Sequence, residues 1–240
     1  AETQVEDLWS DFLDFWANRD SDDDYLLGQV IASPVGSSKK SFYIVDGQQR
    51  FTTLFLLFAA ARDFASAGIG GKVSKELSEF QELCRGFLFT LASGKPSPRL
   101  GVATGGQKAF LNLISGETWT PDSTDQSAQN IKDNYSFFVG KFQEAFTKPS
   151  KQFLDFMEMV SQNIILIFIT LPNDEQALDF FERTNDRGLP LNQADLMKNL
   201  LFSKVKPKEY TNISILWANS VKRLRDIELV RLKSMDFALK

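Results

Sequence analysis

Residues 43–53 read YIVDGQQRFTT, and this stretch decides how the chain folds. Strand-type residues precede Asp46, Gly47 permits a tight turn, and an apolar pattern with helical spacing starts at Gln48. The stretch therefore predicts a strand that ends at Asp46, followed at once by a long helix from Gln48 to Ala67. We expect this helix to be buried, because little polar surface is left by its large apolar side chains Phe51, Leu54, Phe55, Leu57 and Phe58.

Strand patterns lie on both sides of this stretch. Residues 25–32 and 42–45 are predicted to form a hairpin, and residues 164–169 form an unbroken apolar run with the sequence IILIFI. Because such a run needs cover on both faces, we expect it in the centre of a sheet, paired with the early strands. A second, short hairpin is predicted from residues 87–91 and 99–102.

Helical spacing accounts for most of the remaining chain. Further helices are predicted over residues 5–16, 73–85, 106–114, 124–147, 150–162, 174–184, 192–205 and 212–232. The predicted fold class is α+β: a small mixed sheet with a long buried helix, surrounded by a large helical portion. We expect residues 1–67 and 163–205 to form one core, residues 70–160 a mostly helical insertion, and residues 206–240 a C-terminal helical segment that leads to an effector domain.

Composition excludes several classes of function. The 240 residues contain no histidine, which excludes His-dependent triads, HNH-type nuclease sites and nearly all zinc catalysis. With 27 basic and 31 acidic residues, the chain does not have the charge of a simple nucleic-acid clamp. A single cysteine, Cys84, and the lack of any apolar run of about 20 residues predict a cytoplasmic protein without a membrane segment.

The predicted corner from Asp46 to Arg50 carries groups that suit a phosphate. A helix N-terminus presents N–H groups and the positive end of the helix dipole, and Arg50 can fork onto phosphate oxygens. Asp46 can cap the helix, hold a divalent cation or orient a water, while Gln48 and Gln49 can position a water or read a base edge. The alternative, a plain Asp46 N-cap followed by two solvated glutamines, has about equal weight on local grounds.

A second polar stretch covers residues 181–199, FERTNDRGLPLNQADLMKN. It predicts a helix, a turn and a second helix, with Asn185 and Arg187 near the turn and Lys198 about two turns further on. These side chains could converge on a ligand. The alternative is a capped helix–turn–helix with a surface pair of Asp195 and Lys198, which the frequency of such turns favours when the stretch is taken alone.

Together the two stretches resemble the N-terminal domain of GmrSD-type modification-dependent restriction enzymes. Residues 45–54, VDGQQRFTTL, are similar to the DGQQR signature of that family, and residues 181–199 are similar to its second block. The sequence YLLG at residues 25–28 also fits the family pattern. The resemblance covers most of residues 4–205 and implies a fold related to ParB and sulfiredoxin.

In that family the domain binds and hydrolyses nucleoside triphosphates, and in some members it senses modified DNA. The resemblance therefore implies a non-Walker NTPase that regulates a prokaryotic restriction or phage-defence protein. It implies that a nucleoside triphosphate is bound with Mg²⁺, for which Asp46 is the candidate ligand. The implied catalytic residues are Asp46, Gln48, Gln49 and Arg50, and the implied nucleotide-binding residues are Gly47, Arg50, Thr53, Asn185, Arg187 and Lys198.

The chain departs from the full family pattern in two ways. The family has a Tyr-Gln-Arg-type motif upstream of the position of Ala1, and it usually has a histidine-containing nuclease domain at the C-terminal side. We therefore do not expect these 240 residues to cleave DNA. The expected partners are a nucleotide, modified or foreign DNA through the full-length protein, and an attached or partner nuclease.

Two other functions stay open at this point. One is a non-catalytic sensor that reads modified DNA or a nucleotide and controls an attached nuclease. The other is a ParB-like DNA clamp domain, which the two blocks match less well than they match the restriction family.

Overall fold

A computed structural model describes residues 2–20, 23–36, 40–102, 106–117 and 125–185. Within these ranges it contains seven helices, a three-stranded sheet and a two-stranded sheet, and about 61% of the residues are helical. The predicted α+β class is confirmed. The predicted helices over residues 192–205 and 212–232 lie outside the described residues.

The predicted helices within the described ranges are all present, and their ends lie within three residues of the predicted ones. None of them combines the length and the apolar character that a membrane-spanning helix requires. The elements in chain order are α1 (Glu2–Asn18), β1 (Tyr25–Pro34), β2 (Phe42–Asp46), α2 (Gln48–Ser66), α3 (Lys75–Leu88), β3 (Phe89–Ala92), β4 (Lys95–Pro98), α4 (Gln107–Ser115), α5 (Gln126–Phe146), α6 (Lys151–Gln162), β5 (Ile164–Thr170) and α7 (Asp174–Asn185).

The chain divides into two compact units. The first contains residues 1–28 and 48–166, and the second contains residues 29–47 and 167–240. Strands β1 and β5 each belong to both units along their length. The predicted division into an α+β core, a helical insertion and a C-terminal segment stays a prediction.

The core of the first unit forms around α2. Its residues Leu54–Ala61, together with Phe64 and Ala65, are buried, which confirms the predicted buried helix. Helices α3, α4 and α5 pack against it. Phe64, for example, contacts the ring of Phe142 of α5 at a centroid distance of 5.8 Å. Each fully buried Leu or Phe side chain of this kind stabilises the fold by about 1.5–3 kcal/mol.

In the three-stranded sheet the strand order is β2-β1-β5. Strands β1 and β2 are antiparallel, with Ile31 opposite Asp46. The N–H of Tyr25 donates to the carbonyl of Asn163, and the N–H of Leu171 donates to the carbonyl of Ala32. From the first of these bonds to the second, the residue number increases in both strands. Strands β1 and β5 are therefore parallel. The predicted pairing of residues 164–169 with the early strands is confirmed.

The predicted central position of this apolar run is wrong. Strand β5 is an edge strand among the described residues, and Ile165, Ile167 and Phe168 are 40%, 48% and 44% exposed. The central strand is β1 instead, in which residues 30–33 are fully buried. The physical reason is that β-branched residues favour the strand conformation at the edge of a sheet as well as in its centre. The composition of the run therefore does not distinguish an edge strand from a central strand.

The short hairpin of β3 and β4 is confirmed, but its second strand was predicted too late in the chain. Phe89 pairs with Pro98 and Ala92 with Lys95, so the second strand begins at Lys95 rather than at Arg99. Ser93 and Gly94 both have positive φ, 51° and 76°, as a two-residue hairpin turn requires. This tight turn sets the register of β3 against β4, and it places Pro96 and Pro98 within β4.

The second unit has its own small core, in which α7 packs on β1 and β2. Ile31 of β1 contacts the buried face of α7, and Val45 of β2 packs against the same cluster. The Oγ of Ser33, which is fully buried, donates a hydrogen bond to the carboxylate of Asp174 at the start of α7. Asn173 caps this helix, since its Oδ1 accepts the N–H of Gln176 at 2.9 Å.

Candidate functional site

The predicted strand-to-helix corner is present: β2 ends at Asp46 and α2 begins at Gln48. Gly47 between them is buried and has a φ of +89°. A Cβ at this position would lie 2.8 Å from Cγ2 and 3.2 Å from Cα of Val30. Position 47 therefore needs a glycine both for its backbone conformation and for the space beside β1.

Helix α2 begins at Gln48, directly after Gly47 and two residues after Asp46. The alternative in which Asp46 is a plain N-cap stays a prediction. The side chains of Gln48 and Gln49 are exposed, and those of Arg50 and Thr53 are half-buried. The first N–H groups of a helix have no partner within the helix, so this end of α2 can interact with an anion.

Arg50 lies directly against Gly28 of β1. A Cβ at Gly28 would lie 3.1 Å from Nε, 3.4 Å from Cζ and 3.6 Å from Nη2 of Arg50. Sequence reasoning used the YLLG stretch only as part of the family pattern and missed this contact. The available signal was a glycine inside an otherwise regular strand pattern, which often marks a close approach of another group.

The second polar stretch begins within the described residues and continues beyond them. Asn185 is the last residue of α7, four residues after Phe181, which is buried against Ile31. Ile31 in turn pairs with Asp46. Arg187 and Lys198 lie outside the described residues. A separation of Asn185 and Asp46 within about 15 Å, the span of a nucleotide-sized pocket, stays a prediction.

Metal and nucleophile chemistry have few candidates among the described residues. No three His, Cys, Asp or Glu side chains of these residues cluster closely enough to hold a metal ion. Burial raises the pKa of Cys84 to about 12, so its thiol is protonated at neutral pH and cannot act as a nucleophile. A divalent cation at Asp46 would therefore need ligands from a bound phosphate and water, as Mg²⁺ commonly has.

A polar network that sequence reasoning missed joins three helices of the first unit. Arg62 donates to Asp63 at 2.8 Å and to the carbonyls of Leu113 and Ile114 at the end of α4. Tyr135 of α5 donates its hydroxyl to Asp63 at 2.7 Å. The sequence signal was the pair Arg62-Asp63 inside an apolar helix. The network satisfies carbonyls that a helix C-terminus leaves without partners, which is a structural role.

A cavity of roughly 270 Å³ borders this network. It is lined by the end of α2, by the second half of α5 and by the residues that follow α5, including Asp63, Tyr135, Gln143 and Lys148. Its volume is below the roughly 300–1,000 Å³ of ordinary ligand pockets. Because the cavity is small and its Asp63 and Tyr135 belong to the structural network, we do not place the candidate site there.

Tyr25 anchors the start of β1 to α1. Its ring contacts those of Phe12 and Phe15, each at 5.7 Å, and its hydroxyl donates to Asp11 at 2.8 Å. Burial and this hydrogen bond raise the pKa of Tyr25 to about 12. Burial and the bond to Asp63 likewise raise the pKa of Tyr135.

These two tyrosines predict a loss of stability at high pH. Because the pKa of Tyr25 is about 12 in the folded chain and 10.0 without these contacts, its stabilising effect is complete below pH 10 and disappears as the pH rises through about 12. The raised pKa of Tyr135 acts in the same direction. The free energy of unfolding in urea is measured near pH 9 and near pH 11.5. Between these two pH values it should fall less in a Tyr25→Phe/Tyr135→Phe variant than in the unchanged protein. Equal losses in both proteins would contradict this prediction.

Comparison with known proteins adds one finding to this geometry. Residues 1–202 match the family model described as the N-terminal domain of GmrSD restriction endonuclease. A comparison with curated proteins gives no match. The family match covers both polar stretches, residues 43–53 and 181–199, and so includes the whole of the candidate site.

Proposed function

Because this chain belongs to the family of GmrSD restriction endonuclease N-terminal domains, and is therefore part of a restriction system, we propose that it binds and hydrolyses a nucleoside triphosphate. The hydrolysis would control a nuclease, attached or separate, that acts on modified or foreign DNA. The observation that carries the proposal is the corner at the start of α2, where Arg50 lies in the first helical turn and rests against Gly28.

In this proposal the corner supplies most of the chemistry. Arg50 and the N–H groups of the first turn of α2 bind phosphate oxygens, and Gly47 lets the backbone approach them. Gln48 or Gln49 orients a water whose oxygen bonds to the γ-phosphorus, while the bond from that phosphorus to the β–γ bridging oxygen breaks. The nucleoside diphosphate leaves with the bridging oxygen, and a proton of the water passes to phosphate or solvent.

The remaining groups of the site would hold the nucleotide and its cation. Asp46 would hold the Mg²⁺ that accompanies a triphosphate, and the ion would neutralise part of the phosphate charge. One carboxylate suits this role, because Mg²⁺ usually takes one or two protein carboxylates and completes its shell with phosphate and water. Thr53, Asn185, Arg187 and Lys198 would complete the nucleotide pocket.

A turnover assay on the full-length protein tests the proposal. Phosphate release is measured with each nucleoside triphosphate and Mg²⁺, first alone, then with modified DNA, and then with the same DNA without modification. We expect release of phosphate at a rate that modified DNA changes and unmodified DNA does not. Binding of nucleotide without turnover would favour the non-catalytic sensor, and the absence of both binding and turnover would refute the nucleotide role.

A further inference from the structure

Gly28 combines an unusual backbone conformation with an unusual neighbour. Its φ is +129°, which residues with a side chain rarely adopt, and it lies within β1, where glycine is an unfavourable choice. Three guanidinium atoms of Arg50 lie 3.1–3.6 Å from the position that a Cβ would take, and Nε, the nearest, would be crowded by it. The guanidinium therefore lies across the bare face of the glycine.

We propose that Gly28 is a positioning residue, which holds the guanidinium of Arg50 in one orientation at the start of α2 for contact with a phosphate. The inference rests on the proposed function, from which it takes the phosphate-binding role of Arg50. It adds a second residue, from another element of the fold, to the machinery of that site.

The physical argument concerns the freedom of the arginine side chain. A free arginine samples many rotamers, and a bidentate bond to phosphate needs one orientation of the planar fork. A surface that restricts the side chain before the ligand arrives lowers the cost of binding. Gly28 is suited to provide that surface, because any side chain at this position would push the guanidinium away from β1.

The competing explanation is that β1 needs glycine only for its backbone. Gly71 allows a control for the addition of a methyl group at positive φ, since its φ is +77° and nothing lies within 4 Å of its Cβ position. Gly71→Ala therefore introduces backbone strain without a collision with a side chain. Because the φ of Gly28 is further from the left-handed helical region than that of Gly71, an effect of Gly28→Ala is assigned to the neighbour only where it disappears when Arg50 is absent.

The test is a double-mutant cycle in the full-length protein, with binding of a non-hydrolysable triphosphate analogue as the readout. Gly28→Ala should weaken binding about tenfold, and Gly71→Ala should leave it unchanged. In an Arg50→Ala background the same change at Gly28 should weaken binding less than about twofold, because the group that it positions is gone. Equal losses in both backgrounds would overturn the proposal.

A second readout does not depend on nucleotide. The Nε–H resonance of Arg50, identified by its loss in the Arg50→Ala protein, should shift and broaden in Gly28→Ala but not in Gly71→Ala. If the unchanged protein binds no triphosphate, the proposed function fails, while this signal still decides whether Gly28 orients Arg50. An unchanged signal in Gly28→Ala would overturn the proposal.

Failure to fold is also informative. If Gly28→Ala does not fold in either background while Gly71→Ala does, the need for glycine at position 28 lies in the strand backbone. The positioning role would then be overturned.

Discussion

Arg50→Ala should lower nucleotide turnover by the full-length protein at least about a hundredfold while the melting temperature stays nearly unchanged. The N-terminus of α2 carries a dipole equivalent to only about half an elementary charge, which is too little to balance a triphosphate. A guanidinium adds a full charge and a bidentate fork, and the loss of such a contact typically costs a few kcal/mol of transition-state stabilisation. Phosphate release and thermal unfolding are measured on the same purified variant.

Arg85→Ala is the matched control for this experiment. Arg85 lies in α3, where its side chain is 67% exposed and pairs with Glu82 on the surface, so its loss should change neither turnover nor stability. If Arg50 is structural instead, Arg50→Ala would lower the melting temperature and leave the activity per folded molecule near normal. A stable, fully active Arg50→Ala protein would falsify the phosphate role and favour the non-catalytic sensor.

Gly47→Ala should lower the free energy of unfolding by about 3 kcal/mol, an effect large enough to unfold a marginally stable domain. The added methyl would lie 2.8 Å from Cγ2 and 3.2 Å from Cα of Val30, and 3.3 Å from the carbonyl oxygen of Gln29. Two of these three atoms belong to the backbone of β1, so a change of rotamer cannot relieve the crowding. The φ of +89° adds backbone strain. Denaturant unfolding of the variant measures the loss.

Gly36→Ala separates crowding from backbone strain. Gly36 has a φ of +57° and nothing within 4 Å of its Cβ position, so its replacement should cost about 1 kcal/mol. A Gly47→Ala protein that loses no more stability than Gly36→Ala would show that β1 and the corner can move apart. The requirement for glycine at position 47 would then be conformational only.

The corner and the helices could be predicted from the sequence because their signals are local. The change from strand to helix at Gly47 is a change of period within a few residues, and the buried helix shows itself by an apolar run that only Arg62 and Asp63 interrupt. The resemblance to the family likewise rests on two long motifs in a fixed order, and the family match of residues 1–202 confirms it.

The features that could not be predicted depend on contacts between residues far apart in the chain. The edge position of β5 depends on which strand pairs on each side of β1, and the sequence IILIFI is compatible with either place. The contact of Gly28 with Arg50 joins residues 22 positions apart, and Tyr135 bonds Asp63 over 72 positions. The start of β4 depends on a turn with two positive φ angles, which a serine rarely adopts.

The contact of Gly28 with Arg50 also restricts the order in which such chains can change during evolution. A lineage that first replaces the arginine by a small residue empties the space beside the glycine, and position 28 is then limited only by its backbone conformation. A lineage that first replaces the glycine must displace the guanidinium while the arginine is still present. Among related chains, a residue other than glycine at position 28 should therefore occur together with a residue other than arginine at position 50.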